Sequence, residues 1–202
     1  MNELTRLTED QRDALQELMN VAMGQAAAKL ARLIDNMVVL SVPAISVASE
    51  HEGNLEDMET FKKTCSAITR QSFLGGLRGE TLVSFGKEGA DELAELIGYE
   101  EDMDQSSAEI MMEVTNILTG ACIRGLAKEL ELDSSYAQPT LLAENSTLAD
   151  TVGDKLVREQ TLLLDVQFKV ESHSFHCDLL ICVANESIEN VLKAINRLLE
   201  EF

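Results

Sequence analysis

A short pattern of polar residues occurs twice in this chain with the same internal spacing. An acidic residue is followed four positions later by Glu, three positions after that by Asn, and four positions further by Gly, and twenty-two residues then separate the Asn from a Pro. The first copy consists of Asp13, Glu17, Asn20, Gly24 and Pro43, and the second, 96 positions later, of Glu109, Glu113, Asn116, Gly120 and Pro139. Two copies of one polar cluster predict two equivalent sites on a duplicated fold.

The chemistry open to a Glu and an Asn is limited. A Glu carboxylate can anchor a Lys or Arg through a charge-assisted hydrogen bond. An Asn carboxamide both donates and accepts, so it can hold a water and direct it at an electrophile, although it is too weak a base to activate that water strongly. The pair therefore suits hydrolysis of a bond that is already labile and metal-assisted. Phosphoryl transfer is such a case, because positioning and electrostatics supply most of its catalysis.

The spacing places each cluster on one stripe of a long helix. Positions i, i+4, i+7 and i+11 fall together at about 100° per residue, and the apolar residues lie on the opposite side, so both stripes are predicted to face away from the core. Solvent-facing helix positions are often polar without any function, and this is the alternative interpretation. Against it, Asn is a poor helix-interior residue and Gly costs about 1 kcal/mol relative to Ala, yet both recur in the second copy.

A smooth helix face from which one Glu and one Asn project suits the surface of another macromolecule. We therefore predict Glu17, Asn20, Glu113 and Asn116 as the reactive residues. The remaining members of the two stripes are predicted to form the substrate-binding surface: Asp13, Gly24, Glu109 and Gly120.

The elements that carry the stripes follow from hydrophobic periodicity and capping signals. Thr8 and Gln11 predict a capping box for a helix over residues 9–34, and residues 104–107 supply caps for a second helix over 108–132. Shorter helices are predicted at 88–97, closed by Gly98, and at 186–200. Strands are predicted at 37–48, 65–74, 77–85, 136–143, 156–171 and 174–184, with polar connections at 51–63 and from 144 to 154. Prolines interrupt the first and fourth strands.

This order predicts an α+β fold with pseudo-twofold symmetry. Each half reads helix, strand, strand, strand, helix, and the hairpins favour one continuous antiparallel sheet of about six strands packed with two long and two shorter helices. We expect a single domain over residues 1–202, built from two repeats, 1–100 and 101–202.

The composition narrows the classes of function. A net charge of −20 over 202 residues repels nucleic acid and anionic membranes, so neither is expected as a partner. No secretory signal or membrane-spanning stretch is visible, and the four cysteines lack a CxxC pairing, which favours a cytoplasmic protein with reduced, mostly buried thiols. His173, His176 and Cys177 lie close together, but a packed hairpin explains them better than a metal site, and no metal site is predicted.

The doubled motif resembles that of the CheC/CheX/FliY family of response-regulator phosphatases. ELMNVAMG (17–24) and EVTNILTG (113–120) resemble the two family helices, and VPAIS and QPTLL supply the matching prolines. The resemblance covers nearly the whole chain. Two full motifs on a chain without further domains are most similar to CheC, since CheX carries a single motif and the FliY type has an extra C-terminal domain.

The resemblance implies an enzyme that hydrolyses the aspartyl phosphate of phosphorylated CheY in chemotaxis signalling. Glu17 and Glu113 would pair with the regulator's active-site Lys, while Asn20 and Asn116 would insert and position the attacking water. The regulator would contribute its own Mg²⁺, so no cofactor of this chain is expected. The family often has Ser or Asp at the first motif position, and the longer Glu109 is expected to crowd the second site.

Two other functions stay open from the sequence. The chain is also consistent with a CheC-like binding module that docks a response regulator, or a CheD-type deamidase near residues 88–98, without turnover of its own. A flagellar-switch component is the third possibility. Which response regulator is bound, whether both sites are active and what the oligomeric state is do not follow from the residues.

Overall fold

The computed structural model of the protein describes residues 7–48, 55, 58–87, 89–97, 107–158 and 161–200. Along the chain its elements are α1 (Glu9–Ile34), β1 (Val38–Leu40), β2 (Ala44–Ala48), α2 (Glu59–Lys62), β3 (Cys65–Gly75), β4 (Gly79–Phe85), α3 (Gly89–Ile97), α4 (Ser107–Glu129), β5 (Ser134–Tyr136), β6 (Thr140–Ser146), a π-helical turn (Ala149–Gly153), α5 (Asp154–Arg158), β7 (Thr161–Val170), β8 (His176–Val183) and α6 (Asn185–Glu200).

Helix α1 has the bounds that its capping residues predict. The backbone N–H of Gln11 donates to Thr8 Oγ1 at 3.2 Å, and the Gln11 side-chain oxygen accepts from the Thr8 N–H at 3.0 Å. This reciprocal pair is a capping box. At the other end Asp35 takes a left-handed conformation with φ of 48°, which stops the helix. The residues predicted to cap α4 (104–106) and to close α3 (Gly98) lie outside the described residues.

All the strands form one antiparallel sheet. Its order is β1 and β2, then β7, β8, β4 and β3, and finally β5 and β6. Each edge is a pair of short strands separated by a proline, because Pro has no N–H to give to a ladder. In the part of the chain that the structure describes, eight strands therefore occupy six positions, and the prediction of an α+β fold with about six antiparallel strands is confirmed.

The two halves of the chain exchange their edge strands. Strands β1 and β2 pair with β7 of the second half, while β5 and β6 pair with β3 of the first half. Strands β4 and β8 pair at the centre of the sheet. Each long helix is thus followed by a strand that crosses to the hairpin of the other half, and this exchange was not predicted.

The sheet separates two apolar clusters. The larger cluster packs one face of the sheet against helices α1, α3, α4 and α6, and the smaller one covers the other face with α2, the π-helical turn and α5. Helices α1 and α4 touch closely at Gly125, where an added Cβ would lie 2.8 Å from the Ala22 Cβ. The long helices therefore hold each other as well as the sheet.

Several predicted boundaries differ from the structure. The connections predicted at 51–63 and from 144 to 154 contain α2 and the π-helical turn, and the strand predicted from 156 begins only at Thr161, after α5. The cause is long-range packing, since Phe61 and Leu156 are both buried in the smaller cluster. The hairpin strand predicted from 77 begins at Gly79, and the helix predicted to 132 ends at Glu129.

Two further expectations concern the cysteines and membranes. All four cysteines are free and buried, as predicted: Cys65, Cys122, Cys177 and Cys182. Within the part of the chain that the structure describes, no helix combines the length and apolarity needed to cross a bilayer.

Candidate functional site

The first polar stripe lies on the exposed side of α1. Asp13, Glu17, Asn20 and Gly24 are all exposed, whereas Leu15, Met19 and Met23 of the same helix are buried. The predicted orientation of this stripe is confirmed. No atom of the described residues lies within 4 Å of the place where a Gly24 Cβ would stand, so this part of the helix surface beyond Asn20 is open.

The motif proline lies beside this stripe because side chains of α1 hold the segment around it. Gln16 Nε2 donates to the Pro43 carbonyl at 3.1 Å, and Arg12 Nη1 donates to the Ile45 carbonyl at 2.7 Å. Pro43 itself is buried, while the neighbouring Val42 is 76% exposed. The structure therefore brings the distant fifth motif residue next to the helix that carries the other four.

The second stripe differs from the first at its last position. Glu109, Glu113 and Asn116 are exposed on α4, but Gly120 is buried, contrary to the expectation that the whole stripe faces outward. Arg124 and Tyr136 cover Gly120: the guanidinium donates to the tyrosine hydroxyl and lies 5.4 Å from the ring centroid. A Cβ on Gly120 would lie 3.2 Å from Arg124 Nη2 and 3.3 Å from the Tyr136 hydroxyl. This end of the second stripe is closed.

The two asparagines also differ in their hydrogen bonds. Asn116 Oδ1 accepts from Gln71 Nε2 at 2.9 Å, and the same amide group of Gln71 donates to the Ala137 carbonyl at 2.7 Å. Gln71 is a residue of β3, only 1% exposed. Asn20 takes part in no side-chain hydrogen bond among the described residues. Gln71 was not predicted as part of the site, since nothing in its sequence context distinguishes it from other strand residues.

A row of buried threonines ties α4 to the sheet under the second stripe. The Thr115 and Thr69 hydroxyls are 2.5 Å apart, and those of Thr119 and Thr81 are 2.7 Å apart. Thr81 Oγ1 also donates to the backbone carbonyl of Gln71 at 3.1 Å. All four threonines are fully buried. Helix α4, which presents Asn116, is therefore hydrogen-bonded to β3 through Thr69 and to the adjacent strand β4 through Thr81.

The exposed acidic side chains define what the surface can bind. Each stripe presents two carboxylates next to an Asn, which suits a cationic group such as a Lys ammonium. Among the described residues, no three His, Cys, Asp or Glu side chains converge as a metal site. His173 and His176 instead place Nδ1 at 3.0 and 3.1 Å from the backbone carbonyls of Glu171 and Ser174.

Comparison with solved structures shows where this fold occurs elsewhere. The FliY structure of Thermotoga maritima aligns with a TM-score of 0.70 at 15% identity, over 95% of this chain and 98% of that chain. A chemotaxis protein CheX from Desulfovibrio desulfuricans aligns with a TM-score of 0.59 at 15% identity, over 83% and 99%. The FliM middle domain of Vibrio alginolyticus aligns with a TM-score of 0.61 at 9% identity, over 90% and 99%. No protein-family model matches the sequence.

These likenesses define the fold. The chain has the fold shared by FliY, CheX and the FliM middle domain, and its structural neighbours include chemotaxis proteins. The resemblance to the CheC/CheX/FliY family, first drawn from the doubled motif, is thus confirmed at the level of the fold.

Proposed function

We propose that this protein is a phosphatase that accelerates hydrolysis of the aspartyl phosphate of a phosphorylated CheY-like response regulator in chemotaxis signalling. The observation that carries the proposal is the exposed Glu and Asn pair, which projects from both long helices at the same spacing: Glu17 with Asn20, and Glu113 with Asn116. The shared fold with a chemotaxis protein CheX supports the same setting.

Each member of the pair has a defined role in this reaction. The Glu carboxylate anchors the Lys of the regulator by a charge-assisted hydrogen bond. The Asn carboxamide holds a water in line with the phosphorus atom. The water oxygen forms the new bond to phosphorus, the bond from phosphorus to the aspartyl oxygen breaks, and the electron pair of that bond leaves with the aspartate carboxylate. Both hydrogens of the water leave with the phosphate as H₂PO₄⁻. A Mg²⁺ held by the regulator would neutralise charge on the phosphoryl oxygens, so the proposed reaction calls for no metal of this chain.

The other stripe residues shape the surface on which the regulator docks. Asp13 and Glu109 add negative charge one turn before each reactive Glu. Gly24 keeps the first surface flat beyond Asn20, whereas Gly120 lies beneath Arg124 and Tyr136. The first stripe therefore offers a longer open face to a partner than the second.

The test is the decay of a phosphorylated CheY-like regulator with substoichiometric amounts of this protein. The wild type should give several turnovers per molecule, and the double variant Asn20→Ala with Asn116→Ala should lose the acceleration. Because Asn20 is exposed and makes no side-chain hydrogen bond among the described residues, Asn20→Ala should change the free energy of unfolding by no more than about 0.5 kcal/mol. Asn116→Ala also removes an acceptor from the buried Gln71 amide and should cost about 1–3 kcal/mol. Asn190→Ala, at an exposed Asn of α6 outside both stripes, is the matched control and should keep full activity. Undiminished acceleration by the double variant would refute the mechanism.

A second candidate is a binding module without turnover. The observation that favours it is the occurrence of the fold in a FliM middle domain and in the FliM of a FliM–SpeE complex from H. pylori. A fold alone does not define an activity. Such a module would dock a response regulator, or a CheD-type deamidase near α3. In the same assay it would bind the phosphorylated regulator and leave its decay unchanged or slower.

A further inference from the structure

The two halves of the chain can be compared position by position because the sheet registers relate them. Thr140 of β6 pairs with Arg70 of β3, and Ala44 of β2 pairs with Asp165 of β7. Thr140 lies 96 positions after Ala44, which is the spacing between the two copies of the motif, so these two residues are equivalent in the repeats. Their strand partners, Arg70 and Asp165, are therefore equivalent as well. The hairpin pairings extend this correspondence to the next strand, since Gln71 pairs with Thr81 and Val166 with Leu179.

By this correspondence the buried layer beneath the second stripe is polar where the layer beneath the first stripe is apolar. The buried residues Thr69, Gln71 and Thr81 correspond to Leu164, Val166 and Leu179, and on the helices Thr115 and Thr119 correspond to Met19 and Met23. All ten side chains are 0–1% exposed. Burying polar groups costs free energy unless they are hydrogen-bonded, so five such replacements under one copy of a duplicated site call for a physical reason.

The hydrogen bonds around Gln71 fix the orientation of the Asn116 carboxamide. A backbone carbonyl only accepts, so the Gln71 group 2.7 Å from the Ala137 oxygen must be the NH₂ group. The same NH₂ group lies 2.9 Å from the Asn116 side chain, which must therefore turn its oxygen inward. The Asn116 NH₂ group then points away from Gln71. This arrangement leaves Gln71 Oε1 buried without a hydrogen-bond partner.

We infer that Gln71 is a positioning residue that holds the Asn116 carboxamide in one orientation before any partner docks, so that the second site is pre-organised and the first is not. This inference rests on the proposed function. Asn116 keeps two N–H donors and the second lone pair of its oxygen for the water and the phosphoryl group. Because its side chain is already ordered, Asn116 loses less conformational entropy than Asn20 in reaching the transition-state geometry, so the advantage lies in kcat rather than in KM. The first site has the apolar Val166 at the position that corresponds to Gln71.

The test separates the two sites with single-site variants. In Asn20→Ala only the second site remains, and in Asn116→Ala only the first site remains. Gln71→Leu, which keeps most of the bulk of the side chain but removes its hydrogen bonds, is added to each. In the Asn20→Ala background we expect kcat for regulator dephosphorylation to fall about three- to tenfold, with KM changed less than twofold. In the Asn116→Ala background, which is the matched control, neither constant should change.

A second measurement does not depend on activity. The ¹⁵N relaxation of the side-chain NH₂ groups should show Asn116 ordered and Asn20 mobile in the wild-type protein, and Asn116 mobile in Gln71→Leu. A mobile Asn116 in the wild type would overturn the inference, even where Gln71→Leu fails to fold. So would an equal loss of kcat in both backgrounds, which would mark Gln71 as merely structural, or no loss in either. A wild-type protein that binds the regulator without turnover would refute only the proposed function. The relaxation data would still test whether Gln71 orders the Asn116 side chain.

Discussion

Replacing Gly24 by Ala should raise the stability of the protein while it weakens the first proposed site. Gly24 lies in the interior of the 26-residue helix α1, on the exposed side, and a Cβ there would meet nothing within 4 Å. Ala is better than Gly in a helix interior by about 1 kcal/mol, so the free energy of unfolding should rise by about that amount. For a domain of this size the melting temperature should rise by about 2–4 °C.

The same methyl group stands where the proposed partner would approach. It lies one turn beyond Asn20, on the stripe that a docked regulator must cover for Asn20 to reach the phosphoryl group. Forcing a methyl group into a close-packed contact typically costs about 1–3 kcal/mol, so the affinity of the first site should fall by about fivefold or more. Stability and activity therefore move in opposite directions on this substitution.

The assay combines thermal unfolding with regulator dephosphorylation in the Asn116→Ala background, where only the first site remains. We expect a higher melting temperature together with a higher KM. Gly153→Ala is the control, because Gly153 also has nothing within 4 Å but belongs to neither stripe. It should leave KM unchanged. A Gly24→Ala variant that gains stability and keeps its KM would show that the glycine has no part in docking.

Two further substitutions test the packing and the electrostatics of the fold. Gly125→Ala should destabilise the protein by on the order of 1–2 kcal/mol, despite the better helix propensity of Ala. The new Cβ would lie 2.8 Å from the Ala22 Cβ and 3.1 Å from the Ala22 Cα, so α1 and α4 would have to separate. An unchanged or higher melting temperature would contradict this. Burial raises the pKa of Asp165 to about 6, partly offset by the hydrogen bond from Thr60 and reinforced by Asp178. The folded state therefore binds this proton more tightly than the unfolded state and loses stability as the pH rises from about 4 to 6. Asp165→Asn should accordingly be more stable than the wild type at pH 8, by on the order of 1–3 kcal/mol, and this difference should vanish near pH 4. The measurement is the free energy of unfolding in urea as a function of pH, and a difference between the two proteins that does not vary with pH would contradict the prediction.

Local signals predicted the helices that carry the proposed site. The capping box at Thr8 and Gln11 defines the start of α1, and apolar periodicity orients both long helices, because each signal acts within about one turn. The prolines likewise marked where the edge strands are interrupted. Elements that depend on distant contacts were missed: α2 exists because Phe61 is buried in the smaller cluster, on the face of the sheet opposite the long helices.

The parts of the candidate site that escaped prediction are also tertiary. Gly120 has the same motif position as Gly24, and it is the return of β5 that brings Tyr136 over it. Gln71 reaches Asn116 because β3 passes under α4, across 45 positions of sequence. Hydrophobic periodicity shows which side of a helix is exposed, but it does not show which strand lies beneath the other side.

The two sites thus differ in the buried side chains that hold their helices on the sheet. The sequence predicts a difference at the first motif position, where the first site has Asp13 and the second the longer Glu109, and both acids lie on the exposed helix surface. The buried layer offers a stronger physical cause. Hydrogen bonds are directional, so Thr115 and Thr119 hold α4 at one height and rotation on the sheet. The corresponding Met19 and Met23 are flexible and pack without such direction. Arg12 and Gln16 bond the first two turns of α1 to the segment around Pro43, but beneath Asn20 this helix rests on apolar side chains and can adjust to a partner. Helix α4 is hydrogen-bonded to the sheet beneath Asn116 and presents that residue in a single place.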